Sequence, residues 1–122
     1  MLAQRNPHAA YTSVDFDARV STASPQELVK LCYEQLISAL GRALVAHERA
    51  DNRMKSEALT RAVSALTALH MGVSGETEIA DALHQLYVSA RRSILDSVLR
   101  FNVETIRTIR QDFIEISSAL TP

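Results

Sequence analysis

One cysteine, three glycines, three prolines and no tryptophan stand among 122 residues, and each shortage excludes something. With Cys32 alone, no internal disulfide framework can exist, and packing must hold the chain together. Glycine and proline fall well below their usual shares of about 7% and about 5%, which excludes a turn-rich all-β fold. Thirteen Lys/Arg against fourteen Asp/Glu leave a net charge of −1. The basic excess that phosphate binding rests on is therefore missing, and nucleic acid is not an expected partner. No apolar run approaches the roughly 18–20 residues of a membrane span. The opening Met1-Leu2-Ala3-Gln4-Arg5-Asn6-Pro7 lacks the apolar stretch of a signal peptide, so the cytoplasm is the expected compartment.

What is present is helix-forming stock. Apolar residues make up 47% of the chain but aromatics only 5%, and Ala and Leu supply most of the rest. The length suits a single domain that can bury a core of its own. Residues 1–22 read as an N-terminal arm, because Pro7, Asp15, Asp17 and scattered Ser and Thr interrupt any long period. Yet Tyr11, Val14, Phe16 and Val20 put four sizeable apolar groups into it. Exposed apolar area costs about 25 cal/mol per Å², so this arm is expected to lie on the body of the domain, with one short helix at most.

Residues 23–122 read as four amphipathic helices. Ser24-Pro25-Gln26-Glu27 is a start signal: a hydroxyl cap, proline at the first helical position, and an acid three residues on that completes a capping box. Apolar residues then recur at helical spacing through Leu28, Cys32, Leu36, Leu40 and Leu44, predicting a helix over 25–49, about 37 Å long. Asp51-Asn52-Arg53 reads as a polar break, followed by a slim, alanine-rich helix from about Lys55 to Met71. Gly72 and Gly75 offer the left-handed position that ends it. Glu76-Thr77-Glu78 opens a third helix, with acids at the positive end of its dipole. Asn102 caps a fourth, along which Ile106, Ile109, Phe113, Ile116 and Leu120 alternate steps of three and four. Short loops between such helices imply an all-α, antiparallel up-down four-helix bundle.

Chemistry is hard to find. His8, His47, His70 and His84 include no pair at metal-binding helical spacing, and no paired Glu or His-x-x-Glu pattern occurs. Packed or half-exposed imidazoles are the simpler reading. Cys32, flanked by Leu28 and Leu36, reads as a small buried hydrophobe rather than a reactive thiol. Three scattered glycines build no phosphate loop. The arginines of the C-terminal half are matched by acids, with Asp96–Arg100 and Glu57–Arg61 at favourable spacing. No catalytic, cofactor or metal site is predicted, and the chain does not read as an enzyme. What remains is apolar surface: Val29, Leu31, Val45, Val88, Leu95 and Leu99 fall outside the main stripes. Extra core comes first as an explanation, then a groove for another protein's amphipathic helix, then a self-dimer.

Several motifs are shared with a known family. Ala10-Tyr11, then Val20-Ser21-Thr22-Ala23-Ser24-Pro25-Gln26-Glu27-Leu28 and Leu31-Cys32-Tyr33, resemble the N-terminal signature of the flagellar export chaperone family FliS. Glu78-Ile79-Ala80 with Leu83, Leu86 and Tyr87 is similar to a second family stretch, and Leu99-Arg100, Val103 and Ile106 to a third. Ser89, Val98 and the missing tryptophan depart from the pattern, which marks a divergent member.

The resemblance implies a cytoplasmic chaperone that binds the C-terminal segment of flagellin, prevents premature polymerisation and assists delivery to the flagellar type III export apparatus, with the export gate as a further contact. It implies no cofactor. On motif position and apolar character, the residues expected to meet the partner are Tyr11, Val14, Phe16, Val20, Leu31, Tyr33, Leu40, Ile79, Leu83, Leu86 and Tyr87. The arm is either a lid displaced by the client or a permanent part of the core. The chain itself is expected to be a monomer or weak homodimer. Two other readings stay open: a histidine phosphotransfer bundle, which needs an exposed mid-helix histidine near Lys and Gly, and a structural or dimerising bundle without flagellin binding.

Overall fold

The computed structural model describes residues 16–120. Tyr11 and Val14 of the arm lie outside them. Every regular element among the described residues is helical. A short segment, α1, covers residues 16–22. Four long helices follow: α2 Pro25–Glu48, α3 Asn52–Gly72, α4 Glu78–Leu99 and α5 Val103–Leu120. Helix α2 packs against both α3 and α5, and α4 joins α3 to α5, so the four enclose one core. That core is built from aliphatic side chains of all four, Leu36, Leu40, Leu59, Leu66, Ile94 and Ile106 among them, together with Tyr33, Tyr87 and Phe113.

Local chemistry sets each helix start. The Ser24 hydroxyl accepts the Glu27 N–H at 3.2 Å and donates to the Glu27 carboxylate at 3.0 Å. Glu27 thus takes the cap's own hydroxyl proton, instead of the Ser24 backbone N–H that a capping box would give it. Asp51 accepts from Met54 N–H at 3.0 Å, Thr77 from Ala80 N–H at 3.1 Å, and Asn102 from Thr105 N–H at 3.0 Å. Each satisfies a donor that the first turn leaves without an intrahelical partner.

Two sequence-based boundaries move. Helix α3 starts at Asn52, three residues before the expected Lys55, because Asp51 acts as its cap and not as part of a longer break. Gly72 is the last residue of α3, followed by the extended Val73; the positive φ of this loop, 92°, belongs to Gly75. A second left-handed residue is not a glycine. Ala50 has φ 54° at the end of α2, where Asp51 N–H donates to Ala46 C=O at 2.8 Å and Ala50 N–H to His47 C=O at 3.1 Å. This pair of bonds is a Schellman ending, normally built on glycine.

The charge pairs also shift. Glu57 pairs with Arg53 on the preceding turn at 3.2 Å instead of with Arg61, and Asp96 meets Arg100 through backbone groups alone.

Candidate functional site

The small side chains of α3 do two jobs. Ala58, Ala62 and Ala65 are buried and let α3 lie close to α2. One turn further, Ala68 and Gly72 are exposed, and here the two helices leave an apolar groove. Leu28, Val29 and Cys32 form its α2 wall, Ala68, Leu69 and Gly72 its α3 wall, and Phe16 and Val20 of α1 reach into it; its volume is about 420 Å³. A second hollow of about 210 Å³ shares Phe16, Cys32 and Ala68 and runs on along Gln35, Ser64 and Ala65. Phe16 therefore stands where the two meet.

The hold of α1 on this groove is light. Phe16 is only half-buried and Val20 is exposed. The polar tie to α2 is one ion pair, Arg19 Nη2 to Glu34 Oε2 at 3.1 Å, with both side chains about half in water. Exposed pairs of this kind contribute little, about 0–1 kcal/mol. Buried apolar area is what keeps α1 in place.

The groove contains almost no reactive chemistry. Cys32 is half-buried in its wall, not in the core interior that its spacing suggested. Burial pushes its thiol above the ordinary value, which keeps it protonated and a poor nucleophile at neutral pH. Among the described residues, no group of three or more His, Cys, Asp or Glu side chains is arranged to hold a metal ion. Nor is any helix long and apolar enough to cross a membrane.

The residues singled out from sequence separate into three sets. Phe16 and Val20 line the groove. Leu31, Tyr33, Leu40 and Tyr87 are buried and present no surface to a partner in this conformation. Leu83 and Leu86 are half-buried against the core, and Ile79, on the first turn of α4, is 74% exposed. Leu28, Val29, Cys32, Ala68, Leu69 and Gly72 were not singled out as contacts. Val29 had a signal, since it falls outside the main stripe of its helix.

Of the six surplus apolar residues, only Leu31 is core; Val29, Val45, Val88, Leu95 and Leu99 are exposed. Extra core is thus the wrong explanation for five of them. Among the described residues, each histidine lies against another ring. His47 stacks on Phe101 at 4.4 Å between ring centroids, and half-buried His70 lies edge-on to His84 at 4.7 Å. Neither His70 nor His84 is the freely exposed mid-helix imidazole that a phosphotransfer bundle requires.

The sequence profile described as "Flagellar protein FliS" matches residues 7–120. The flagellar secretion chaperone FliS of Salmonella typhimurium strain LT2 is 33% identical over 103 residues, covering 82% of this chain and 76% of the relative. With a profile that spans nearly the whole chain and a relative at this identity, the chain belongs to the FliS family of flagellar proteins.

Proposed function

We propose that this chain is a cytoplasmic export chaperone that binds the C-terminal segment of flagellin, holds it back from polymerisation and assists its delivery to the flagellar type III export apparatus. Family membership supports the chaperone role, and the relative carries the printed name of a flagellar secretion chaperone. The observation that carries the client reading is the lightly covered apolar groove between α2 and α3, with Phe16 and Val20 in it.

An amphipathic helix inserts its apolar side chains into such a groove, and burial must offset roughly 2–5 kcal/mol of ordering cost when the segment is disordered alone. A lightly held α1 can leave at small cost, so the arm acts as a lid that the client displaces. Nothing in this role calls for a cofactor or a catalytic step. The expected architecture is the antiparallel up-down four-helix bundle of residues 23–122 with the arm, residues 1–22, laid on it. The ring of neighbours α2, α3, α4, α5 supports that arrangement.

Calorimetric titration of the chain with a flagellin C-terminal peptide tests the proposal. Binding at micromolar concentration or tighter is expected, and severalfold tighter binding is expected when residues 1–18 are deleted. No binding by a folded full-length chain would remove the client reading. Unchanged or weaker affinity in a folded deletion would remove the lid.

A further inference from the structure

Where α3 ends and α4 begins, two histidines from different helices line one hollow. His70 stands in the last turn of α3 and His84 near the start of α4, so the within-helix spacing that marks a metal pair in sequence does not register them. Their ring centroids lie 4.7 Å apart at an interplanar angle of 63°. Two imidazoles that share one ion through nitrogens about 2.0–2.1 Å away have centroids about 4.5–5.5 Å apart, for angles at the ion of about 90–120°. The observed separation falls inside that range. Both residues are half-buried, and both line an open hollow of about 350 Å³ together with Thr67, Met71 and Arg91. We propose that His70, His84 and the Met71 thioether form a three-ligand site for monovalent copper. The proposal stands on this hollow alone and does not depend on the client reading.

The donors select the ion. An imidazole pair accepts copper, zinc or nickel, whereas a thioether is a soft ligand that favours copper(I). Met71 brings that sulfur on an unbranched, flexible side chain that is 82% exposed, so it swings over the two rings at little cost. Among the described residues no carboxylate lines the hollow, and the charge there is the Arg91 guanidinium. Three neutral ligands beside a fixed positive charge penalise a dication more heavily than a monocation, which sets zinc(II) and nickel(II) at a disadvantage. The Thr67 hydroxyl donates to the Val63 carbonyl at 3.0 Å, which leaves coordination to nitrogen and sulfur. An ion held by His70 and His84 ties α3 to α4, so its binding stabilises the folded chain.

Competition for copper(I) between the full-length Cys32→Ser chain, which lacks the rival thiol, and the chromogenic chelator bicinchoninate reads the site directly, under ascorbate and without oxygen. One equivalent of copper(I) is expected to leave the chelator. His70→Gln and His84→Gln should each weaken uptake about 100-fold or more, and Met71→Leu about 10-fold. His8→Gln and His47→Gln should leave it unchanged. Because Met71 is exposed, its substitution tests the site without disturbing the fold. A second measurement needs no variant within the site: copper(I) should shift the ring-proton NMR signals of His70 and His84 and the methyl signal of Met71 together, and raise the melting temperature. A chain that withdraws no copper(I) overturns the proposal. So does uptake that survives His84→Gln, or a set of shifts that spares either ring. Tighter retention of zinc(II) than of copper(I) would overturn the choice of ion.

Discussion

The hydroxyls of Tyr33 and Tyr87 meet at 2.6 Å inside the core, and either can donate. Both rings also contact Phe113, at 5.8 and 6.2 Å between centroids, so one aromatic cluster ties α2 and α4 to α5. Removing one hydroxyl leaves the other buried without its partner; removing both leaves a wholly apolar contact. Tyr33→Phe and Tyr87→Phe are each expected to cost about 1–2 kcal/mol in urea unfolding, and the double variant less than the sum of the two. Additive losses would mean that the bond contributes nothing specific.

The same pair sets an alkaline limit. Burial, first of all, raises both phenols above the usual value of 10.0, and the bond to Tyr87 raises Tyr33 further. The folded chain then keeps protons that the unfolded chain gives up. Stability from this source is complete below pH about 10 and falls as pH rises beyond it. Two of the three tyrosines should therefore show phenolate absorbance only as the chain unfolds. Early ionisation of Tyr33 and Tyr87 in a folded chain would contradict their burial.

Arg110 reaches across from α5 to donate its Nε–H to the Ile37 carbonyl at 3.1 Å, deep along α2. Gly41 gives it room, since a Cβ there would lie 3.1 Å from that same Nε. Alanine at 41 gains helix propensity, up to about 1 kcal/mol, but pushes the guanidinium from a charged hydrogen bond worth about 1.5–3 kcal/mol. Gly41→Ala should lower stability by about 0.5–2 kcal/mol in the native chain. In an Arg110→Met background it should raise stability by up to about 1 kcal/mol. The sign reversal is the diagnostic measurement.

At Ala50 the backbone carries an avoidable strain. A side chain in the left-handed region costs roughly 1–2 kcal/mol, and the Schellman bonds at the end of α2 hold it there. Ala50→Gly should stabilise by about 0.5–1 kcal/mol after the entropy of the freer unfolded chain is counted. Thermal unfolding should shift upward by about 2–5 °C, and Ala50→Val should shift it down.

The starts of α2, α4 and α5 were legible because their signals are local, whereas that of α3 was hidden, since Asp51 reads equally well as part of a polar turn. Ser24, Thr77 and Asn102 each sit one residue before the helix they cap, and the run from Ile106 to Phe113 fixed the buried face of α5. Ala50 was not legible, since nothing in an alanine announces a positive φ. The groove was only half legible. Periodicity tells which face of a helix turns from water, and Leu28, Cys32 and Leu36 share one face of α2. It does not tell what covers that face. Leu36 lies under the body of the core, whereas Leu28 and Cys32 stand under α1, where cover is partial. In the same way Tyr33 and Tyr87 carry family motifs yet are interior, because a motif can record what builds a scaffold as well as what touches a partner.

Cys32 offers a direct view of that cover. It is the chain's single cysteine, its thiol is held protonated by burial, and Phe16 lies in both hollows that it lines. Reaction with a disulfide reagent at pH 8 should be slow compared with a free thiol, because both thiolate fraction and access are reduced. Phe16→Ala opens the groove without touching Cys32's own helix and should speed the reaction, by about 3- to 10-fold, with α2–α5 still folded by circular dichroism. A bound client helix should slow it again, below the rate of the free chain. Equal rates in the native chain and in Phe16→Ala would mean that α1 does not shield the groove. The Cys32 thiol would then be governed by α2 and α3 alone.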